Sequence, residues 1–418
     1  MAARRDPIAF FARIKADHGD AVFFHWGNQP TWVFFHPDAV KELLVTQDRL
    51  FTKWFAVERT KELLGNGLFV SEGAYHHRQR KLAQPAFHHQ RIKSYAGIVL
   101  ETAQTLRDRW TDGEVVDVAQ EMNWFALIAV ARALFGADVD SEASEIRDAL
   151  GGILDLFERA ALPPDEQADF DMHMARLDAT ILRIIEERRR SPEDRGDLLS
   201  MLLAAHDEGD GSGMSDRQIR DEAMTIFLAG HETTATALTW AWHLLALHPE
   251  VEKALTGELQ TVLKGREVAY DDLAQLVITE RIVSETLRLY PPVWAMGRQA
   301  REAVKIGGWQ LDPGDVAIVC PYLTQRDARF FPEPERFDLE RWTDEAGAVR
   351  PKFAYFPFSG GSRSCLGEGF AWMEAMMCLA VLAGRWRLEM AEGHRVALQP
   401  QLTLRAKFGM KMRLCRKH

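Results

Sequence analysis

The chain of 418 residues contains only four cysteines: Cys320, Cys365, Cys378 and Cys415. They are too few and too scattered for a disulfide framework, which is typical of a protein of the reducing cytosol. The sequence also lacks an excess of positive charge, since 51 Lys and Arg residues against 61 Asp and Glu residues give a net charge of −10. This acidic balance argues against nucleic acid as the main partner.

Long apolar runs are missing as well. No stretch without Asp, Glu, Lys or Arg is longer than 17 residues, and one of that length, 233–249, contains two histidines and four threonines. A membrane span needs about 20 predominantly apolar residues, so this stretch predicts a buried helix, and we expect no membrane anchor. The first residues include Arg4 and Arg5, and the residues that follow do not form the apolar segment that a signal peptide requires. We therefore expect a cytoplasmic protein.

The composition is otherwise that of a folded protein. Hydrophobic residues make up 47% and charged residues 27% of the chain, which is enough to bury a large core and to enclose a cofactor. Two aromatic and β-branched runs, 21–26 and 31–35, flank a Gly-Asn-Gln-Pro segment and predict a β-hairpin. After Pro37 the pattern is helical for most of about 250 residues. Short strands are predicted further on, at 304–306 and 316–320. The expected fold class is therefore mainly α with small β-sheets. The most loop-like stretch, 206–215, is too short to link two domains.

A long helix is predicted in the second half of the chain. Ser215 and Gln218 have the spacing of a capping box, and the helical pattern continues to His248 and Pro249. The predicted helix of roughly 33 residues is about 50 Å long, so we expect it to cross the molecule.

The sequence Ala229-Gly-His-Glu-Thr233 lies near the middle of this helix. A glycine there costs about 1 kcal/mol relative to alanine, and together with a threonine hydroxyl it can kink a helix. Glu232 and Thr233 offer an acid and an alcohol in succession, as a proton relay requires. Alternatively, Glu232 is solvated and Thr233 bonds to its own helix.

A second helix is predicted at 279–290 and is ended by two prolines. Glu285 and Arg288 lie three residues apart on it and therefore share one face. An exposed pair of this kind stabilises a protein by only about 0.2–1 kcal/mol, so its importance depends on burial.

The most specific local pattern is the glycine-rich loop Phe358-Ser-Gly-Gly-Ser-Arg363-Ser-Cys365-Leu-Gly367. Its glycines permit tight turns and close approach to a flat group. A cysteine near a cation and at the amino terminus of a helix has a stabilised thiolate, which serves as a nucleophile or a metal ligand. A lone cysteine is otherwise more often buried and inert.

The spacing Phe-x-x-Gly-x-Arg-x-Cys-x-Gly resembles the haem-binding loop of the cytochrome P-450 family, and the other motifs follow in the family's order over nearly the whole chain. The resemblance implies the family's triangular-prism haem fold in a single domain, 1–418, with haem b (iron protoporphyrin IX) as cofactor. It makes Cys365 the proximal thiolate ligand of iron. Phe358 would pack near the sulfur and Gly367 would contact the cofactor, while backbone N–H groups of the loop would tune the sulfur's basicity.

The same resemblance assigns roles on the long helix and to several cations. It places Ala229 at the cofactor, makes Glu232 the proton conduit and makes Thr233 the alcohol at the dioxygen site. The cations that match the family's partners for the two haem carboxylates are His76, Arg80, Arg298 and Arg363. Many relatives carry tryptophan where His76 stands.

Glu285 and Arg288 match a buried triad of the family, which anchors the thiolate loop and is not catalytic. Its third member is an arginine from the irregular segment 334–342. Arg341 matches best, and Arg336 is a close rival.

The implied function is that of a haem-thiolate monooxygenase, which inserts one oxygen atom of O₂ into an organic substrate by hydroxylation or epoxidation. We expect a monomer that receives electrons from a separate ferredoxin or flavodoxin with an NAD(P)H-dependent reductase. The stretch 76–93 contains five Lys and Arg residues and no acid: Arg78, Arg80, Lys81, Arg91 and Lys93. In an acidic chain this reversal predicts either a solvated basic face or a docking patch for an acidic electron donor.

Regions that line the substrate pocket in relatives correspond here to 51–69, 229–233, 293–296 and the turn near Leu402. They supply Phe, Trp, Leu, Val and Met, with few charges except in the first range. This favours a small apolar substrate such as a fatty acid, a terpenoid or a steroid. Three alternatives stay open: a peroxide-driven or oxygen-independent haem-thiolate enzyme, a non-catalytic haem-binding sensor, and a haem-free helical binder of hydrophobic molecules. Members of the first class usually lack the acid–alcohol pair.

Overall fold

A computed structural model of the chain describes residues 6–54, 57, 60–136, 149, 164–191, 193–205 and 213–417. The loop expected at 206–215 therefore lies largely outside the described residues. The helices are α1 Pro7–His18, α2 Pro37–Lys41, α3 Lys61–Leu64, α4 Gly73–Ala83, α5 His89–Arg109, α6 Val118–Phe135, α7 Pro164–Arg190, α8 Leu198–Ala204, α9 Asp216–Leu247, α10 Pro249–Leu263, α11 Val277–Leu289, α12 Pro321–Thr324, α13 Asp344–Ala348 and α14 Glu368–Ala383.

The strands are short and few. They are β1 Ala21–Trp26, β2 Gln29–Phe34, β3 Phe51–Lys53, β4 Val115–Asp117, β5 Met296–Ala300, β6 Val304–Ile306, β7 Trp309–Leu311, β8 Val316–Val319, β9 Trp386–Met390, β10 Leu398–Pro400, β11 Leu404–Ala406 and β12 Lys411–Arg416. The expectation of a mainly α fold with small sheets is confirmed.

The chain forms two compact units, each assembled from three segments. The first unit comprises Met1–Glu58, Glu280–Glu368 and Ala397–Lys407, and the second comprises Arg59–Thr279, Gly369–Val396 and Phe408–His418. A single domain over 1–418 stays a prediction.

A five-stranded sheet of order β1-β2-β8-β5-β3 organises the first unit. The predicted hairpin is present: β1 pairs antiparallel with β2, and Gly27 in the turn has φ +66°, a left-handed conformation that glycine adopts without strain. On its other side β2 pairs in parallel with β8, so that Val33 lies opposite Ile318. Both side chains are buried in an apolar core with Phe11 and Phe35.

The long helix α9 dominates the second unit. Its predicted capping box is present, since the Ser215 N–H donates to Gln218 Oε1 (2.7 Å) and the Gln218 N–H donates to Ser215 Oγ (3.3 Å). The helix has 32 residues and is therefore about 48 Å long. It packs on the apolar helix α6, and a Cβ at Gly230 would lie only 3.1 Å from the Val130 side chain. Close helix packing therefore gives this glycine a structural role.

A three-stranded sheet of order β4-β12-β9 completes the second unit. No helix within the described ranges is long and apolar enough to cross a membrane.

Candidate functional site

The loop 358–367 of the first unit presents Cys365 to solvent. The Cys365 N–H donates to the Phe358 carbonyl (3.0 Å), which closes the loop, and Ser359 and Gly361 both have positive φ values, +64° and +68°. A Cβ at Gly361 would lie 1.9 Å from the Leu44 carbonyl oxygen, so only glycine fits there. The loop is thus held against the helical turn Glu42–Thr46, and its thiol is exposed.

The other three cysteines differ from Cys365 in their surroundings. Burial raises the pKa of the Cys320 thiol to about 12 and raises the pKa of Cys378 well above its ordinary value. Desolvation also raises the pKa of Cys415. These thiols are held in the protonated form, whereas Cys365 lies exposed three residues before helix α14, as expected for the thiolate ligand.

The predicted structural triad is assembled in the first unit. Arg288 donates from Nε and Nη2 to the two Glu285 oxygens, both at 2.7 Å, and neither side chain is exposed. Arg341 Nε lies 3.3 Å from Glu285 Oε1. The Arg336 side chain is instead 62% exposed and pairs with Glu333. Arg341 therefore occupies the place of the third member.

Arg288 also anchors the irregular segment that precedes the cysteine loop. Its remaining donors bind three backbone carbonyls, those of Gln325 (3.0 Å), Pro334 (2.7 Å) and Arg336 (3.1 Å). All five N–H groups of the guanidinium are therefore used. Glu285 additionally accepts from Trp342 Nε1 at 3.0 Å.

Two more predicted cofactor residues lie in the first unit. Arg298 is half-buried on β5, where its Nη1 donates to the Gly297 carbonyl (2.9 Å). Arg363 is half-buried at the end of the short helical turn Gly361–Arg363. Phe358 and Gly367 are also half-buried and flank the thiol in sequence.

Helix α9 of the second unit is buried over most of 221–245, except for a small exposed patch near its middle. Every residue of 221–228 is buried, as are most residues of 231–245, whereas Ala229 is exposed and Gly230 and Thr233 are half-buried. These positions are i, i+1 and i+4, so they form one patch of small residues on one helix face. Such a patch within a buried helix fits the close approach of a flat cofactor.

The acid and the alcohol of the motif lie beside this patch. Glu232 is 5% exposed. The Thr233 hydroxyl donates to the Ala229 carbonyl at 2.7 Å, so Thr233 bonds to its own helix, as the alternative interpretation has it. Helix α9 is continuous over 229–233.

His76 and Arg80 lie four residues apart on helix α4 and share one face. His76 is 3% exposed, and its Nδ1 lies 3.2 Å from the Leu68 carbonyl. Because a carbonyl oxygen only accepts, Nδ1 carries the proton in this hydrogen bond. Arg80 is half-buried.

The basic stretch 76–93 is partly neutralised. Lys93 forms an ion pair with Asp271 at 2.6 Å, so it contributes little positive field. Lys81 is exposed and Arg78 is half-buried.

Several buried acids of the second unit are not among the site residues predicted from the sequence, and Glu374, Asp221 and Glu222 are three of them. Glu374 of α14 is fully buried, and desolvation raises its pKa well above 4.5. Asp221 and Glu222 of α9 are also buried. The sequence signal for Glu374 is an acid within the otherwise apolar helical run 370–383. Asp221 and Glu222 follow Arg220 in a mostly polar stretch, which offers no such signal.

Each unit contains residues whose chemistry fits a haem. In the first unit, Cys365 would supply the single soft thiolate donor that iron takes in a haem-thiolate site, and strand β5 and the cysteine loop carry cations suited to haem carboxylates. In the second unit, the patch at 229–233 leaves room for a flat group, and helix α4 carries His76 and Arg80. Ten residues predicted from the sequence divide between the units. Phe358, Arg363, Cys365, Gly367 and Arg298 belong to the first, and His76, Arg80, Ala229, Glu232 and Thr233 belong to the second.

Comparison with protein-family models matches residues 2–412 to the family Cytochrome P450. Among characterised sequences, the chain is 40% identical over 413 residues to "Cyclooctatin synthase" of Streptomyces melanosporofaciens, covering 96% of this chain and 90% of that protein. It is 35% identical to "Cyclooctat-9-en-7-ol 5-monooxygenase" of the same organism, covering 94% and 87%. It is also 35% identical to "Pentalenene oxygenase" of Streptomyces avermitilis, covering 92% and 87%.

A solved structure has the same fold. The crystal structure of the cytochrome P450DA heme domain superposes with a TM-score of 0.91 at 26% sequence identity, covering 98% of this chain and 93% of that chain.

Proposed function

The chain belongs to the cytochrome P450 family of haem-dependent monooxygenases, and we propose that it hydroxylates a cyclic terpenoid. Its fold is the family's haem fold, as the sequence predicts. Two relatives act, by their names, on cyclooctat-9-en-7-ol and pentalenene, which are cyclic terpenes. A mainly apolar set of pocket residues supports the same choice over a fatty acid, which carries a carboxylate.

Haem, when bound, supplies the iron that activates dioxygen. Cys365 is proposed as its thiolate ligand, with Phe358 and Gly367 as the flanking contacts. Arg298 and Arg363, together with His76 and Arg80, are proposed to bind the two haem carboxylates by charge-assisted hydrogen bonds. The exposed thiol in a loop that tolerates only glycine at Gly361 supports this assignment.

The observation that carries the proposed oxygen chemistry is the exposed patch at Ala229, Gly230 and Thr233, with the buried acid Glu232 beside it. Thr233 now donates to its own helix, and rotation about χ1 turns the same hydroxyl toward the patch. Glu232 supplies the proton that the hydroxyl passes on. Ala229 contributes a methyl group where a larger side chain would block approach.

Electrons are proposed to come from an acidic ferredoxin or flavodoxin served by an NAD(P)H-dependent reductase. Arg78 and Lys81 on helix α4 support a docking patch, because complementary charge speeds encounter. A monomeric state and a cytoplasmic location stay predictions.

The test uses the haem-loaded protein and three measurements. The ferrous–CO complex should show the red-shifted Soret band of a thiolate ligand, and Cys365→His should lose it while Cys415→Ser keeps it. Pentalenene should shift the iron from low to high spin, and a reconstituted redox chain should then form a hydroxylated product at the expense of NAD(P)H. A Cys365→His variant with an unchanged band contradicts the ligand assignment.

The same measurements distinguish the alternatives. Product formed with added peroxide but not with NAD(P)H identifies a peroxide-driven enzyme. A normal CO spectrum without turnover of any bound terpene supports a sensor, and a purified protein without haem absorbance supports a haem-free binder. A spin shift with fatty acids but not with terpenes overturns the substrate class alone.

A further inference from the structure

Two neighbouring carboxylates of helix α9, Asp221 and Glu222, have no part in the roles proposed above. Asp221 is 4% exposed and Glu222 is 0% exposed. Burying a carboxylate is unfavourable unless hydrogen bonds satisfy its oxygens. The partners of these oxygens therefore indicate what the two acids hold in place.

Both acids bind the backbone of one loop, residues 65–68, which we call the clamp loop. The Asn66 N–H donates to Asp221 Oδ2 at 2.8 Å, and the Leu68 N–H donates to Glu222 Oε2 at 3.0 Å. The clamp loop is thus fixed to helix α9 through its backbone.

Two glycines make this contact possible. A Cβ at Gly65 would lie 2.1 Å from Asp221 Oδ1, and a Cβ at Gly67 would lie 2.1 Å from Thr225 Oγ1. Gly65 also has a φ of +57°, which favours glycine. The sequence Gly-Asn-Gly therefore places main chain, without side chains between, directly on the helix.

The second oxygen of Glu222 reaches helix α4. Gln79 Nε2 donates to Glu222 Oε1 at 3.2 Å. Three residues earlier on the same helix, His76 Nδ1 donates to the Leu68 carbonyl at 3.2 Å. The Leu68 residue is consequently bound at both its N–H and its C=O, and both bonds lead to α4, one through Glu222 and one through His76.

We infer that Glu222 is a positioning residue that holds a substrate-side loop and the haem-carboxylate histidine as one assembly. The inference rests on the proposed function. Phe69 follows the clamp loop directly and is 41% exposed, so the position of Leu68 determines where this aromatic side chain meets an apolar ligand. The same Leu68 carbonyl orients the His76 ring. One carboxylate therefore affects both ligand binding and haem retention without touching the thiolate.

The experiment compares Glu222→Ala with Glu222→Gln in the haem-loaded protein. Glutamine keeps both bonds, because its Oε1 accepts from the Leu68 N–H and its NH₂ donates to Gln79 Oε1 once the Gln79 amide turns. In the unsubstituted protein, Gln79 Oε1 is buried and has no hydrogen-bond partner among the described residues. Alanine removes both bonds.

Three readouts are measured: hydrogen exchange at the Leu68 amide, the rate of haem transfer to apomyoglobin, and dissociation constants for phenylimidazole and pentalenene. For Glu222→Ala we expect loss of Leu68 protection and about tenfold faster haem transfer, with both dissociation constants about tenfold higher. The ferrous–CO Soret band should stay in place. Glu222→Gln should stay within about twofold of the unsubstituted protein in all three, because it keeps both hydrogen bonds.

Unchanged haem transfer and an unchanged Leu68 amide in Glu222→Ala would overturn the inference, as would equal losses in both variants. If Glu222→Ala does not fold, Gln79→Leu is used instead, because it removes only the hydrogen bond between Gln79 and Glu222. It should speed haem transfer while Leu68 stays protected, and an unaltered transfer rate again contradicts the inference. If pentalenene causes no spin shift in the unsubstituted protein, the proposed substrate class fails, while exchange, haem transfer and phenylimidazole binding still test Glu222.

Discussion

Replacing Glu374 by glutamine should change how the stability of the protein depends on pH. Glu374 is fully buried in α14, and neither carboxyl oxygen makes a hydrogen bond of good geometry within the described ranges. Burial raises its pKa well above the ordinary value of 4.5, and the Thr234 hydroxyl offsets only part of this effect. The folded protein therefore keeps the proton up to a higher pH than the unfolded chain does.

The sign and size follow from proton linkage. Between pH 4.5 and the raised pKa, the folded state binds one proton more than the unfolded state, so the free energy of unfolding falls by about 1.36 kcal/mol per pH unit. This contribution is complete below pH 4.5 and is lost as the pH rises through the raised pKa. Within this range the loss amounts to about 2.7 kcal/mol for every two pH units.

The assay is urea unfolding at several pH values for the unsubstituted protein and for Glu374→Gln, followed by far-ultraviolet circular dichroism. The difference between their free energies of unfolding should shift in favour of glutamine as the pH rises. The slope is diagnostic, because a buried amide brings a desolvation cost of its own that does not depend on pH. Glu101→Gln on the exposed face of α5 is the matched control and should leave the slope unchanged. Parallel curves for Glu374→Gln would refute a buried, protonated carboxyl.

Thr233→Ala should bind substrate and accept electrons yet divert them into hydrogen peroxide, and Glu232→Gln should slow turnover with a larger solvent isotope effect. Product formed per NAD(P)H consumed measures both, and unaltered coupling in Thr233→Ala contradicts the role given to this hydroxyl. Arg288→Lys offers three donors in place of five, so two buried acceptors lose their partners and the protein should lose about 2–6 kcal/mol in urea unfolding; a smaller loss means that water replaces them. Changing Arg78 and Lys81 to glutamate should slow reduction by an acidic ferredoxin, most at low salt, and equal slowing of peroxide-driven turnover would assign the patch to folding instead.

Much of this fold follows from local rules that act over a few residues. The capping box at Ser215, the hairpin turn at Gly27 and the end of helix α11 before two prolines are each set by neighbours in sequence. The cysteine loop is similarly local, because its glycines and thiol stand within ten residues. These features were therefore predictable from the sequence.

The remaining features depend on partners distant in sequence. Asp221 and Glu222 matter because backbone groups some 155 residues away bind them. The choice of Arg341 over Arg336 depends on which side chain is buried beside Glu285. Gly230 also has a distant neighbour that spacing does not reveal, because a Cβ there would lie only 3.1 Å from the Val130 side chain. Burial and long-range hydrogen bonds are not encoded in spacing alone.

The parallel pairing of β2 with β8 is delayed during synthesis, because β2 is made long before β8. Thr31–Phe34 must pair with Val316–Val319, 285 residues later in the chain. At 5–20 residues per second, the ribosome needs about 14–57 s to synthesise the chain up to the second strand. Throughout that interval one edge of β2, which carries Val33 and Phe34, has no strand to pair with and can recruit another chain. Slowing initiation, so that fewer nascent chains coexist, should therefore raise the yield of folded protein more than slowing elongation, which lengthens the interval itself.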